Sequence, residues 1–149
     1  MSLQEKVMEA MKAAMKAKDT QSLEALRSIK SAMLLAQTET GSKMDLSEED
    51  ELKLLQKQVK QRKDSAAIYT DQNRPDLAEP ELLQAKVIEQ FLPQQLSEEE
   101  VSRIVDQVIS ETGASSMADM GKVMGLVSAK LAGKADGKTI STAVKTRLS

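Results

Sequence analysis

Phe91-Leu92-Pro93-Gln94-Gln95-Leu96-Ser97-Glu98-Glu99-Glu100 decides how this chain is built. Proline has no amide hydrogen to donate and disfavours helix in the residue before it, so Leu92-Pro93 stops the helix arriving from upstream. Shortly afterwards Ser97 opens a capping box with Glu100, and Glu98 to Glu100 put negative charge at the positive end of a new helix. One helix ends and another begins almost at once. The boundary is therefore expected at Pro93 to Leu96, with an N-terminal helical domain over residues 1–93 and a smaller C-terminal domain over residues 97–149.

Downstream of this junction the apolar residues recur at helical steps. Val101, Ile104, Val105, Val108 and Ile109 mark one helix, which Gly113 is placed to close. Ser116 with Asp119 starts the next, carrying Met117, Met120, Val123, Met124, Val127 and Leu131. Gly133 ends it, and Asp136 caps a last helix with Ile140, Val144 and Leu148. Upstream, a helix from about Asp76 to Phe91 carries Leu83, Val87, Ile88 and Phe91, with Pro80 in its first turns. The preceding helix opens at Ser47, turns Leu52, Leu55, Val59, Ala66 and Tyr69 inward, and stops at Asn73-Arg74-Pro75. Gly41 to Leu46 reads as a loop. Before it, Asp19 to Ser22 start a helix with Leu23, Leu26, Ile29 and Met33 facing inward, and the first helix carries Leu3, Val7, Met8, Met11 and Met15. Strand-like alternation is absent throughout. The expected fold is all-α, an N-terminal four-helix domain followed by a small C-terminal three-helix domain.

Composition agrees. Hydrophobic residues make up 40% of the 149 and come mostly from Leu, Met, Ala, Val and Ile, with Tyr69 and Phe91 as the only aromatics. That is the palette of helices, not of sheets. The absence of Cys and His removes disulfides, Cys/His zinc sites, thiol nucleophiles and histidine acid–base chemistry. No apolar run reaches the ~18 residues that would suggest a membrane span. The first stretch, with Glu5 and Glu9 inside it, reads as part of the fold and not as a targeting segment. A cytoplasmic protein with no cofactor and no membrane partner is expected.

The net charge of −2 hides an uneven distribution. Residues 76–100 hold seven acids against Lys86 alone. Residues 117–149 hold Lys122, Lys130, Lys134, Lys138, Lys145 and Arg147 against Asp119 and Asp136. A polyanion partner for the C-terminal part is therefore compatible with an acidic chain. Gly133-Lys134-Ala135-Asp136-Gly137-Lys138 is a basic turn leading into a helix, whose first amides together with the lysines suit a phosphate. Lys130 and Lys122 extend a stripe of positive charge upstream. With so few aromatics there is no stacking platform for single strands, so a structured RNA held by its backbone fits better.

Gly121-Lys122-Val123-Met124-Gly125 superficially suggests a phosphate loop, but lacks both the preceding strand and the Lys-Ser/Thr that follows one. Its two glycines more naturally let another backbone pack closely, or leave a bare face that admits a ribose-phosphate chain. The acid runs Glu48 to Glu51 and Glu98 to Glu100 stand in helix first turns, where they offset the dipole instead of gathering a metal. Arg62 is the exception in the N-terminal part. It falls within the apolar arc of Leu55, Val59, Ala66 and Tyr69, so it needs a partner, and Glu81 or Glu89 on the fourth helix is expected to supply one.

Several of these stretches together resemble a known family. Gln61-Arg62-Lys63-Asp64-Ser65, Arg74-Pro75-Asp76-Leu77-Ala78, the junction from Phe91 to Glu100, Gly113 to Gly125, and Gly133 to Gly137 resemble the bacterial YqeY-like proteins over nearly the whole chain. Gln84 and Lys86 depart from that pattern, standing where acids are expected. The resemblance implies a C-terminal part similar to the tail domain of GatB, a component of the glutamine-dependent amidotransferase that corrects misacylated Glu-tRNA or Asp-tRNA. There the tail contacts tRNA and other parts perform the chemistry. Carried onto this chain, the matching elements are Gly121, Lys122 and Gly125 and the Gly133 to Gly137 turn.

Three functions follow as expectations. The first is a tRNA-binding accessory protein, acting alone or beside an amidotransferase or an aminoacyl-tRNA synthetase. Its site would be Gly121, Lys122, Gly125, Lys130, Lys134, Gly137 and Lys138, with no catalytic residue, and its link to a carbon–nitrogen ligase using glutamine would be by family alone. The second is a protein-interaction adaptor presenting a methionine-rich surface through Met8, Met11, Met15 and Met33, although helix methionines more often fill cores. The third is an enzyme acting on glutamine or an activated carboxyl, for which no nucleophile or nucleotide loop is visible.

Overall fold

In the computed structural model, residues 1–39 and 46–149 are described. The loop expected from Gly41 to Leu46 lies outside the described residues, Leu46 excepted. Among the described residues the chain is helical throughout: α1 Leu3–Ala17, α2 Thr20–Glu39, α3 Glu48–Asp71, α4 Pro75–Glu89, α5 Glu98–Thr112, a 3₁₀ turn Met117–Asp119, α6 Met120–Lys130 and α7 Gly137–Leu148. It divides into two units, Met1–Leu92 and Pro93–Ser149.

In the first unit the helix starts follow from side-chain chemistry. Ser2 accepts from the Glu5 amide (3.2 Å) and Ser47 from the Asp50 amide (3.1 Å). Asp19 accepts from both the amide (3.1 Å) and the hydroxyl (2.6 Å) of Ser22, bonds that hold its carboxyl below the ordinary carboxylate range. Pro75 stands at the start of α4, where its missing amide costs nothing. The core is built from Val7, Ala14, Ala25, Leu26, Ile29, Met33, Leu55, Val59, Ala85 and Ile88. Its buried alanines keep the helices close, since interaxial distance follows side-chain size at the contact.

Two apolar expectations fail in this unit. Leu83 is exposed and its neighbour Gln84 is buried. The inward face of α4 is set by Ala78, Ala85 and Ile88, and Leu83 lies about 200° round the helix from Ala85 at ~100° per residue. Met8 and Met15 are also exposed, while Met33 is core and Met11 is half-buried.

Gln84 is buried because Arg62 is there to meet it. Arg62 donates from Nη1 to Gln84 Oε1 and from Nη2 to Ser28 Oγ (3.0 Å), and its Nη1 lies 3.6 Å from a Glu81 carboxylate oxygen. Gln84 Nε2 in turn donates to Gln21 Oε1 (2.8 Å) and Glu24 Oε2 (3.0 Å). Gln58 joins through its bonds with Ser28. The expected Glu81 partner is present, and Glu89 pairs instead with Lys63 at 2.7 Å. Through these bonds α2, α3 and α4 share one polar seam, and among the described residues no buried side-chain nitrogen or oxygen lacks a hydrogen bond.

The second unit is a valine-rich bundle of α5, α6 and α7. Its core is Val101, Val105, Val108, Val123, Val127, Leu131, Ala135, Ile140, Val144 and Leu148. Valine is an indifferent helix former, so burial of these faces, at roughly 1.5–3 kcal/mol for a fully buried side chain, outweighs local preference. Ser97 caps α5 through the Glu100 amide (3.2 Å), and Gly113 closes it at φ +70°. Ser116 and Asp119 stand at the starts of the 3₁₀ turn and of α6 as expected, but the Asp119 side chain accepts from the Ser115 amide (3.1 Å) and not from an amide of α6. It ties down the turn before the 3₁₀ segment, and Met117 is left exposed.

Candidate nucleic-acid interface

Lys122, Lys130, Lys134 and Lys138 all lie in the second unit, on α6, on the turn after it, and on the start of α7. Burial of Val123 and Val127 fixes which way α6 faces. The opposite arc is then Gly121, Lys122, Gly125, Ser128 and Ala129, all exposed, whereas Lys130, also exposed, stands within about 20° of Val123, on the side where Glu111 of α5 reaches it. At ~100° and 1.5 Å per residue, Lys122 and Lys130 stand about 80° apart round the axis and ~12 Å apart along it. The two glycines lie on the other flank of Lys122.

Among the described residues, those glycines are not packed against another element. A β-carbon added at Gly121, Gly125 or Gly137 would meet nothing within 4 Å. Close helix–helix packing inside the chain, one of the two expectations for the α6 glycines, is thereby corrected: α6 turns its valines inward and leaves its small residues to solvent. A helix face of Gly, Gly, Ser and Ala exposes backbone that a partner can approach.

The turn between α6 and α7 is fixed from behind. Gly133 takes φ +76°, a conformation that side chains disfavour. Its carbonyl accepts from Gln95 Nε2 (2.6 Å), and the Lys134 carbonyl accepts from the Leu96 amide (2.9 Å). Pro93 to Leu96 therefore serves as a strap holding this turn as well as a helix stop. With its backbone tied, Lys134 projects an exposed side chain, as does Lys138 at the start of α7.

The amide cradle is partly occupied by the chain itself. Asp136 caps α7 by accepting from the Thr139 amide at 2.7 Å. The amides of Gly137 and Lys138 precede it and have no acceptor within the helix, as at any helix start. A phosphate arriving here would meet two amides and two lysines, with the Asp136 carboxylate nearby opposing it.

The lysines differ in availability. Lys130 lies 3.6 Å from Glu111 on α5. Lys122, Lys134 and Lys138 have no carboxylate within ion-pair distance among the described residues. Sequence reading missed what lies beside Lys138. A groove between α5 and α7 is lined by Glu98, Ser102, Thr139, Thr142, Thr146 and Arg147 beside Lys138. Arg147 also pairs with Asp106 on α5 at 2.8 Å. Threonines at 139, 142 and 146 follow a helical step, a signal present in the sequence but overshadowed by the lysines.

The family model of the Yqey-like proteins matches residues 4–148 of this chain. A glutamyl-tRNA(Gln) amidotransferase subunit from Thermococcus gammatolerans is 44% identical over 73 residues, covering 46% of this chain and 12% of that relative. The chain thus spans only a small part of that relative's length.

Proposed function

The chain belongs to the YqeY-like protein family, and from that premise we propose that it is a tRNA-binding accessory protein of the cytoplasm, associated with tRNA-dependent amidation. The C-terminal domain, residues 97–149, holds the RNA, with Lys122, Lys130, Lys134 and Lys138 on phosphates and Gly121, Gly125 and Gly137 allowing the backbone close. The bond-making chemistry belongs to a partner, an amidotransferase or an aminoacyl-tRNA synthetase. Support for this partner comes from the similarity to an amidotransferase component whose name places it on glutamyl-tRNA(Gln).

The observation that carries the reading is the bare glycine face of α6 beside Lys122, which has no carboxylate within ion-pair distance among the described residues. Among the described residues, nothing lies within 4 Å of a β-carbon added at Gly121 or Gly125. Backbone-directed contact of this kind tolerates sequence and weakens steeply with salt, because each neutralised phosphate releases counterions. The decisive variant is Lys134→Glu with Lys138→Glu. It should lower tRNA affinity at least tenfold with the helical spectrum unchanged. Unaltered affinity would place the RNA elsewhere or remove it from the account.

A further inference from the structure

The N-terminal unit carries a surface that the RNA reading does not use. α1 and α2 are joined by the short Lys18–Asp19 turn and pack side by side. Between them runs an open, largely apolar groove lined by Gln4, Val7, Met8, Lys30, Met33 and Leu34. Val7 and Met33 form its buried floor, whereas Met8 is 38% exposed and Leu34 64% exposed at its mouth. Met15, 59% exposed, continues the α1 edge in line with Met8 and Met11 at helical steps.

Charge decides what fits. On α2 the edge along the groove is Leu23, Arg27, Lys30 and Leu34, residues spaced three and four apart on one helix face. Arg27 and Lys30 are both exposed, and neither has a carboxylate within ion-pair distance among the described residues. Glu24, about 60° round α2 from Arg27 at ~100° per residue, is turned toward α4 and held by Gln84. The acids of α1, Glu5 and Glu9, lie some 60–100° farther round that helix than Met8 at ~100° per residue. The mouth is therefore methionine and leucine rimmed by positive charge.

We propose that this groove docks an amphipathic helix of a protein partner, one that lays leucine-like residues at helical spacing onto Met8, Met15 and Leu34 and sets carboxylates against Arg27 and Lys30. Methionine suits the task because its unbranched, polarizable side chain adapts to the knobs it receives. A helix laid in a groove between two helices is a recurring recognition mode, read by anchors at three- and four-residue steps. An RNA chain is the poorer occupant, since the floor is apolar and Tyr69 and Phe91, the only aromatics, are not among the lining residues. The docking is independent of RNA binding by the C-terminal unit, so either can fail without the other.

The test is methyl NMR on the full-length protein with labelled methionines. Two synthetic peptides of identical leucine spacing serve as probes, one with glutamates and one with lysines on its flanks, alongside anionic phospholipid vesicles and the protein alone over a range of concentrations. The acidic peptide should shift the Met8 and Met15 methyls in a saturable way, with the buried Met33 methyl reporting that the fold persists. Arg27→Glu with Lys30→Glu, both at exposed positions, should reverse the preference toward the basic peptide by roughly tenfold or more, as introduced like-charge contacts do. The proposal is overturned if neither peptide shifts these methyls or both bind alike. It is equally overturned if vesicles shift them and the acidic peptide does not, or if they move with protein concentration alone.

Discussion

Arg62 on α3 donates to the side-chain oxygen of Gln84 on α4, and this pair fixes how the N-terminal helices meet. The guanidinium is mostly buried, so its hydrogen bonds carry weight that a surface pair would not. Gln84 relays the contact to Gln21 and Glu24, so one amide joins α4 to both α3 and α2. An acid at 84 would pair with Arg62 but face Glu24 as a like charge.

Gln84→Leu should cost roughly 1–3 kcal/mol, the range for leaving buried partners unsatisfied. Arg62→Met should cost a similar amount by leaving the buried Gln84 Oε1 without its donor. Combining the two should cost less than their sum, because each single variant strands the other residue. Urea unfolding of the four proteins checks this, and strict additivity would mean that the pair is not coupled.

Gly121→Ala and Gly125→Ala separate packing from binding. Neither added methyl meets an atom of the chain, and alanine is favoured over glycine in a helix by ~1 kcal/mol. Thermal stability should hold or rise while tRNA affinity falls. A drop in stability with affinity unchanged would return these glycines to a purely structural role.

Asp136→Ser keeps an N-cap on α7 but removes the carboxylate that opposes a phosphate there. RNA affinity should rise several-fold with stability nearly unchanged. Asp136→Ala should instead destabilise the second unit by about 1 kcal/mol. An affinity insensitive to both would put the RNA away from this helix start.

Acid should weaken the first unit through Asp19 and Asp76. Hydrogen bonds from Ser22 hold the Asp19 carboxyl below its ordinary value of 3.8, and the Arg74 guanidinium does the same for Asp76 at 3.0 Å. A carboxyl lowered by folding contributes stability above its unfolded pKa and loses it as pH falls through the lowered folded value. The melting-temperature gap between the protein and Asp76→Asn should therefore close as pH drops from about 5 toward 2.5. Both groups are fully exposed, so the effect is small. A gap that widened in acid would reverse the assignment.

Much of the fold was legible because helix starts are written locally. Ser47, Ser97, Asp136, Gly113 and the two proline stops each act through neighbours a few residues away, and each is seen where expected. Facing was harder to read. Leu83 lost its place to Gln84 because Arg62, on another helix, supplies a buried partner that no local pattern announces. Met8 and Met15 have the right spacing for a core, but Val7 and Ala14 already fill the inner edge of α1. In the candidate site the lysines were legible as charge, whereas the Lys130–Glu111 pair, the groove beside Lys138 and the strap from Gln95 and Leu96 depend on contacts made across the chain. The emptiness around Gly121 and Gly125 could be seen only once α6 was placed.

The measurement that bears most directly on the central claim is fluorescence anisotropy of labelled total tRNA titrated with the full-length protein at two salt concentrations, with duplex DNA and a single-stranded RNA as comparisons. The account predicts saturable binding that prefers tRNA over both and weakens with salt by a slope of about three to four phosphates, matching Lys122, Lys130, Lys134 and Lys138. Absence of binding at tens of micromolar protein, or binding that ignores salt or favours the other two ligands, would contradict it.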